Sequence, residues 1–324
     1  MFIPVKKKDN FAIEMSFDIS VILLLMYRLF IIFVSICLST ICICIHAQSP
    51  FIAATGRWET VYDHPWVDSV YNSLTEDERI AQLMTVAAYS NRDEAHVKEI
   101  GALISRYRIG GLIFFQGSPV RQAIQTNYYQ SLSKTPLLIS IDGEWGLAMR
   151  LDSVPLFPRQ MLLGAVQDHT LVFKFGQEVG REWQRMGIHI NYAPVVDINT
   201  NPKNPVINNR AFGDEKENIA QLGLLYMQGM QSMHILTSAK HFPGHGDTQT
   251  DSHLGLPVIT KSYVQLSDTE WYPYRYLIER NLSGVMVSHL NVPSLDETPG
   301  SIASVSRRIV TDILRDTLQF DGLV

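Results

Sequence analysis

Short apolar runs and longer stretches with apolar positions three and four apart alternate along most of the chain. The runs at 83–88, 112–115, 136–141, 188–198, 235–241 and 284–289 read as strands. The stretches 94–108, 120–132, 171–186, 219–233, 272–281 and 306–318 read as helices. Gly110-Gly111 stops the first of these helices and Gly187 the third. Thr75, with Glu78 three residues on, has the spacing of a capping box at a helix start. Gly322-Leu323-Val324 begins a seventh strand.

Strand–helix alternation of this regularity implies a parallel sheet with crossover helices. An open doubly wound sheet and a closed (β/α)8 barrel compete for it. No glycine-rich dinucleotide turn follows the first strand, which weakens the open form. A barrel gathers its chemistry at the C-terminal ends of several strands. Asp142, Asp197, Lys240-His241 and Ser288-His289 all fall at such ends. The expectation is an α/β fold, a (β/α)8 TIM-type barrel, incomplete at the C-terminus: strand 7 is only begun and strand 8 is missing. Such a barrel has two open edges, so the chain is expected to be a poorly stable fragment.

The N-terminus departs from this rhythm. Residues 29–45 are apolar, broken only by Ser and Thr, and follow Arg28. With Ala47 as a small cleavage residue, residues 1–47 read as a secretory signal peptide. Met26 would give that signal a tidier start. The run extends back to Val21, long enough to cross a bilayer as an uncleaved anchor. The expected location is therefore exported: periplasmic or secreted, touching a membrane only through this segment. Residues 48–73 read as a leader arm and 74–324 as the folded domain.

Composition then removes options. All three cysteines, Cys37, Cys42 and Cys44, lie in the N-terminal apolar run. The mature chain has none, hence no disulfide and no thiolate metal site. A net charge of −5 argues against a nucleic-acid partner.

The densest chemistry is Lys240-His241-Phe242-Pro243-Gly244-His245-Gly246-Asp247-Thr248-Gln249-Thr250-Asp251-Ser252-His253. Titratable groups alternate there with Gly and Pro directly after a strand, as in an α/β active-site loop. Lys240 and His241 can each donate to a substrate oxygen, about 1.5–3 kcal/mol for a bond involving a charged group. Asp251 and His253, two apart, can pair so that the carboxylate raises the basicity of the imidazole. His253 is then a general acid/base near neutral pH, contributing about 10²–10⁴ in rate. Alternatively His241, His245, Asp247 and His253 bind zinc, although Pro and Gly break the His241–His245 spacing. Asp142 closes an apolar strand, where a carboxylate is costly to bury unpaired. It is either a structural ion pair with Arg150 or Arg210, or a ligand group. Arg210 follows a Pro/Asn-rich loop at the same end of the fold.

Taken together, these segments resemble glycoside hydrolase family 3, in its β-N-acetylglucosaminidase branch. The 240–253 stretch, ending in Leu256-Pro257, carries the likeness. Ile139-Ser140-Ile141-Asp142-Gly143-Glu144 with Arg150, Phe157-Pro158-Arg159-Gln160-Met161, Asn191-Tyr192-Ala193-Pro194-Val195-Val196-Asp197 and Arg210-Ala211-Phe212-Gly213 support it in order. The resemblance spans residues 74–324. It implies removal of terminal, non-reducing β-linked N-acetylglucosamine from cell-wall or chitin-type oligosaccharides, through a covalent glycosyl-enzyme and with no cofactor. Asp142, Arg150, Arg210, Lys240 and His241 would hold the sugar, and His253 would be the acid/base with Asp251 as its partner. A histidine in that role departs from the usual carboxylate pair. The nucleophile of the family is an Asp just after a segment like Phe320-Asp321-Gly322-Leu323-Val324, a position this chain does not reach. Turnover by the 324-residue chain itself is therefore not expected. Two other readings compete: a sugar-binding protein without turnover, and a zinc-dependent hydrolase.

Overall fold

The computed structural model of the chain describes residues 64–248 and 255–324. The signal segment, the arm up to residue 63, Asp251 and His253 lie outside the described residues. The first helix, α1 (Pro65–Ser73), starts with Pro at its first position, where no N–H is needed. The arm was expected to run through these residues. Next comes α2 (Glu76–Ala81), with the capping box in place. Thr75 Oγ1 accepts from the Glu78 N–H (3.3 Å), and the Glu78 carboxylate accepts from the Thr75 N–H (2.9 Å).

Six strands follow: β1 (Thr85–Ala88), β2 (Gly111–Phe114), β3 (Leu138–Ile141), β4 (Ile190–Asn191), β5 (Leu236–Phe242) and β6 (Gly284–Val287). They pair in parallel in sequence order, β1-β2-β3-β4-β5-β6. Between them run α3 (Glu94–Tyr107), α4 (Pro119–Leu132), α5 (Gln160–Gly164), α6 (Thr170–Met186), α7 (Lys216–Gln231), α8 (Tyr263–Asp268) and α9 (Trp271–Ile278). Each successive strand is thus reached through helix. The described residues form a curled half-barrel of six parallel strands. Beside β6, where a seventh strand was expected, Leu323 forms an isolated parallel bridge with Gly284, its N–H on Ser283 O at 3.0 Å.

Two elements differ from expectation. The fourth strand, expected within 188–198 and ending near Asp197, is two residues long and ends at Asn191. Pro194 has no N–H to give to a ladder, and pairing resumes only as an isolated bridge from Val195 to Lys240. The last helix, Arg308–Thr317, is a π-helix, its end marked by the Leu318 N–H on the Ile313 carbonyl (2.9 Å). The short α5 and α8 had no expected counterpart.

The apolar faces of the helices close on the sheet. Trp183 of α6, Tyr226 of α7 and Trp271 and Tyr274 of α9 are fully buried with Phe114, Ile139 and Phe242. Gly187 ends α6 in the left-handed conformation (φ 65°), which costs a residue without Cβ nothing. The C-terminal ends of β3 and β5, and the loop after β4, then meet above this core. Among the described residues no helix is long and apolar enough to cross a membrane.

Candidate active site

β3 ends at Ile141 and delivers Asp142 and Glu144 just beyond the sheet edge. In an extended backbone, residues two apart share a side. The intervening Gly143 is pinned by its N–H on Asn191 Oδ1 (3.1 Å), and the Tyr226 hydroxyl donates to the Glu144 carbonyl (3.1 Å). β5 contributes Lys240 and His241. The long loop after β4 contributes Asp197 and Arg210.

These groups form one ion network. Lys240 Nζ sits between the two carboxylates, in contact with Asp142 Oδ1 and 2.7 Å from Glu144 Oε1. Arg150 donates from Nη2 to Asp142 Oδ2 (2.5 Å) and from Nε to the Asp142 carbonyl (2.9 Å). Arg210 grips Glu144 with both arms, Nη2 to Oε1 at 2.7 Å and Nε to Oε2 at 3.0 Å. Its Nη2 also lies 3.2 Å from His241 Nε2. A guanidinium only donates, so Nε2 is the acceptor of that contact. His241 Nδ1–H then donates to Asp197 Oδ2 (2.7 Å). Asp197 also accepts the backbone N–H of His245 (2.8 Å).

Exposure divides the network into two tiers. Glu144, Asp197 and Lys240 have side chains at most 1% exposed. Asp142, Arg150, Arg210 and His241 are 13–23% exposed and form the reachable edge. The buried tier fixes the reachable one. Asp142 still has lone pairs free beside Arg150 and Lys240, since a carboxylate offers about four acceptor sites. An accessible acceptor thus stands among accessible donors, the arrangement that neighbouring hydroxyls on a polar ligand require.

Electrostatics follow the same division. Burial pushes Glu144 upward, but Lys240 and Arg210 outweigh it and hold the carboxyl at about 2. Asp142 is likewise lowered: burial and the Glu144 charge oppose ionisation, while Lys240 and Arg150 prevail. For Asp197 the burial effect is overcome by His241 and His245, leaving it below the ordinary carboxylate value. His241 is shifted downward, chiefly by burial, with Asp197 opposing. All three carboxylates are therefore ionised at neutral pH and His241 is neutral.

The expected site residues Asp142, Arg150, Arg210, Lys240 and His241 all converge here. Of the two readings of Asp142 the ion pair is present, with Arg150 and Lys240, while Arg210 pairs with Glu144. Glu144 and Asp197 had no assigned role. The signal for Glu144 was its spacing of two from Asp142; the signal for Asp197 was its place after a strand. Ser288-His289 does not join the network, and His289 Nδ1 instead lies 2.6 Å from Ser304 Oγ. Arg159 ties the two contributing loops together, 4.5 Å over the Trp145 ring and donating to Asn209 Oδ1 (2.8 Å). Asp251 and His253 fall outside the described residues. Among the described residues no three His, Cys, Asp or Glu side chains gather to hold a metal ion.

The profile of the glycosyl hydrolase family 3 N terminal domain matches residues 75–324. The chain belongs to this family. Within family 3 it is 35% identical over 248 residues to beta-hexosaminidase A of Pseudoalteromonas piscicida, covering 69% of this chain and 42% of that protein. A family 3 beta-N-acetylglucosaminidase from Paenibacillus sp. superposes with a TM-score of 0.72 at 33% identity, over 77% of this chain and 48% of that one. The beta-glucoside phosphorylase BglX superposes with a TM-score of 0.75 at 27% identity, over 80% and 47%. The chain spans about half the length of the first curated relatives it matches.

Proposed function

We propose that the protein is an exported β-N-acetylhexosaminidase that removes terminal, non-reducing β-linked N-acetylglucosamine from oligosaccharides with retention of configuration. The observation that carries this reading is the reachable edge of Asp142, Arg150, Arg210 and His241, held by Lys240, Glu144 and Asp197 in a family 3 chain. Asp142 would accept sugar hydroxyl protons, and Arg150, Arg210 and His241 would donate to sugar oxygens. Pre-oriented charged groups of this kind lose little freedom on binding and so favour one ligand stereochemistry. The barrel would be of the full (β/α)8 type, of which the six strands are the consecutive first part.

In the first chemical step the bond from the anomeric carbon to the leaving oxygen breaks. An enzyme carboxylate takes the anomeric carbon as an ester, and His253, oriented by Asp251, gives its proton to the leaving oxygen. In the second step His253 takes a proton from water, whose oxygen displaces the ester. Turnover is to be measured on the protein expressed from its whole native gene. That protein is expected to release nitrophenol from 4-nitrophenyl N-acetyl-β-glucosaminide. His253→Ala should abolish release while sparing N-acetylglucosamine binding, and Asp251→Asn should lower the rate and alter its pH profile. Full turnover in the His253 variant would overturn the assignment. Similarity to a phosphorylase favours a second acceptor; adding phosphate and looking for the glycosyl phosphate tests it. Export is supported by the apolar run at 29–45 and is checked by cell fractionation.

A further inference from the structure

Behind the network lies a second charged group that the proposed chemistry does not use. Glu270, the residue preceding α9, is 2% exposed. One oxygen, Oε1, meets Lys261 Nζ at 2.7 Å. The other, Oε2, is buried with no hydrogen-bond partner among the described residues. Such a carboxylate is expensive to keep, since each unpaired buried polar atom costs stability. Its surroundings show what it holds. Gly244 (φ +129°) lies so close that a Cβ there would be 2.7 Å from the Glu270 Cβ and 2.8 Å from Oε2. The neighbouring Trp271 donates from Nε1 to the Pro243 carbonyl (3.2 Å). Lys261 also approaches Asp247 Oδ2 at 3.7 Å.

Three anchors from the start of α9 and the strand-like approach to α8 thus converge on the turn from Pro243 to Thr248. That turn places the His245 N–H on Asp197, and Asp197 in turn fixes the His241 ring against Arg210. We propose that Glu270 and Lys261 are a positioning pair for the sugar site, bracing the Pro243–Thr248 turn from behind and through it the Asp197–His241–Arg210 chain. The geometry of this brace is independent of the enzymatic reading; only its effect on sugar affinity rests on that reading.

A brace built on a buried ion pair responds to pH. Burial pushes Glu270 up to about 7, with Lys261 opposing and Asp197 and Asp247 adding to the rise. Facing it are Lys261 from before α8, Asp247 from the turn, Asp197 from the loop after β4, and Tyr274 on its own helix. Above neutrality the carboxylate grips Lys261; below it, the neutral acid releases the cation to Asp247.

The test is a pH titration of the Gly244, Gly246 and Thr248 backbone amides by NMR, in the wild type, Glu270→Gln and Lys261→Met. Both variants leave His241, His245 and Asp247 in place. The wild-type amides should titrate with a midpoint of about 7. In Glu270→Gln that titration should vanish, and in Lys261→Met its midpoint should move upward, because the cation that favours ionisation is gone. An unchanged titration in Glu270→Gln would assign it to another group and overturn the proposal, as would an unmoved midpoint in Lys261→Met. N-acetylglucosamine is titrated into the same samples. Wild-type binding that weakens in Glu270→Gln extends the brace to the sugar site. No binding to the wild type sinks the sugar reading while the amides still decide the brace.

Discussion

At the residue scale, the network depends most on Lys240. Among the described residues its ammonium is the one cation touching both Asp142 and Glu144. Replacing it by Met, close in shape, leaves the buried Glu144 carboxylate facing that of the partly exposed Asp142. Breaking a buried pair from one side costs about 3–5 kcal/mol. Lys240→Met should therefore lower the denaturation midpoint strongly and remove N-acetylglucosamine binding; Arg150→Met, at the accessible edge, should weaken binding with a much smaller loss of stability. Chemical denaturation with a parallel binding titration separates the two. Asp142, Arg210, Lys240 and His241 were legible because each sits at or beyond a strand end in a run of otherwise apolar or turn-forming residues. Glu144 was not, because an acidic residue in a loop is ordinarily solvated. Only the folded chain shows Arg210, 66 residues away, closing on it.

Elements were legible to different degrees, for physical reasons. Strands β1, β2, β3 and β6 could be read as short, mainly apolar runs, and β5 from the run that leads into Lys240. The fourth could not be bounded: Ile188 to Ile198 mixes apolar residues with His189, Asn191 and Asp197, and Pro194 and the turn towards Asp197 leave only Ile190–Asn191 in the ladder. The capping box at Thr75 was readable because its two hydrogen bonds are local. Thr75→Ala should cost about 1 kcal/mol, seen as a lower thermal midpoint. Gly244 tests the turn after β5. Its φ of +129° and its contact with Glu270 leave no room for a Cβ. Gly244→Ala should destabilise by more than about 1 kcal/mol and also weaken sugar binding. A substitution that costs stability alone would detach this turn from the site. The π-helix at Arg308–Thr317 could not be foreseen, since its apolar spacing is compatible with an ordinary helix.

For the whole molecule, the titrating groups set a stability profile with two limbs. Glu144, Asp142 and Asp197 have folded values below their ordinary ones. Their contribution is complete above about 4.5 and is lost as the pH falls through the folded values, about 2 for Glu144. Glu270 runs the other way: raised from 4.5 to about 7, it contributes stability that is complete below 4.5 and lost as the pH rises through 7. His241 and His189, both lowered by burial, add stability as the pH rises towards their ordinary value of 6.5. Glu270 and the histidines therefore oppose each other between 4.5 and 6.5. Thermal unfolding of the wild type should fall as the pH drops below about 4.5. Between 4.5 and 6.5 the stability of Glu270→Gln should rise with pH more steeply than that of the wild type. Equal slopes in both proteins would contradict the value assigned to Glu270.

The distances along the chain between partners have a consequence for how the protein is made. Asp142 and Lys240 are 98 positions apart, and Glu144 and Arg210 are 66 apart. As the polypeptide leaves the ribosome, Asp142 and Glu144 appear together, and Arg150 follows Asp142 after only eight positions. The two cations that face Glu144, Arg210 and Lys240, come much later. Closure of that edge waits for β5, so the binding face is completed only when the fifth strand has been made.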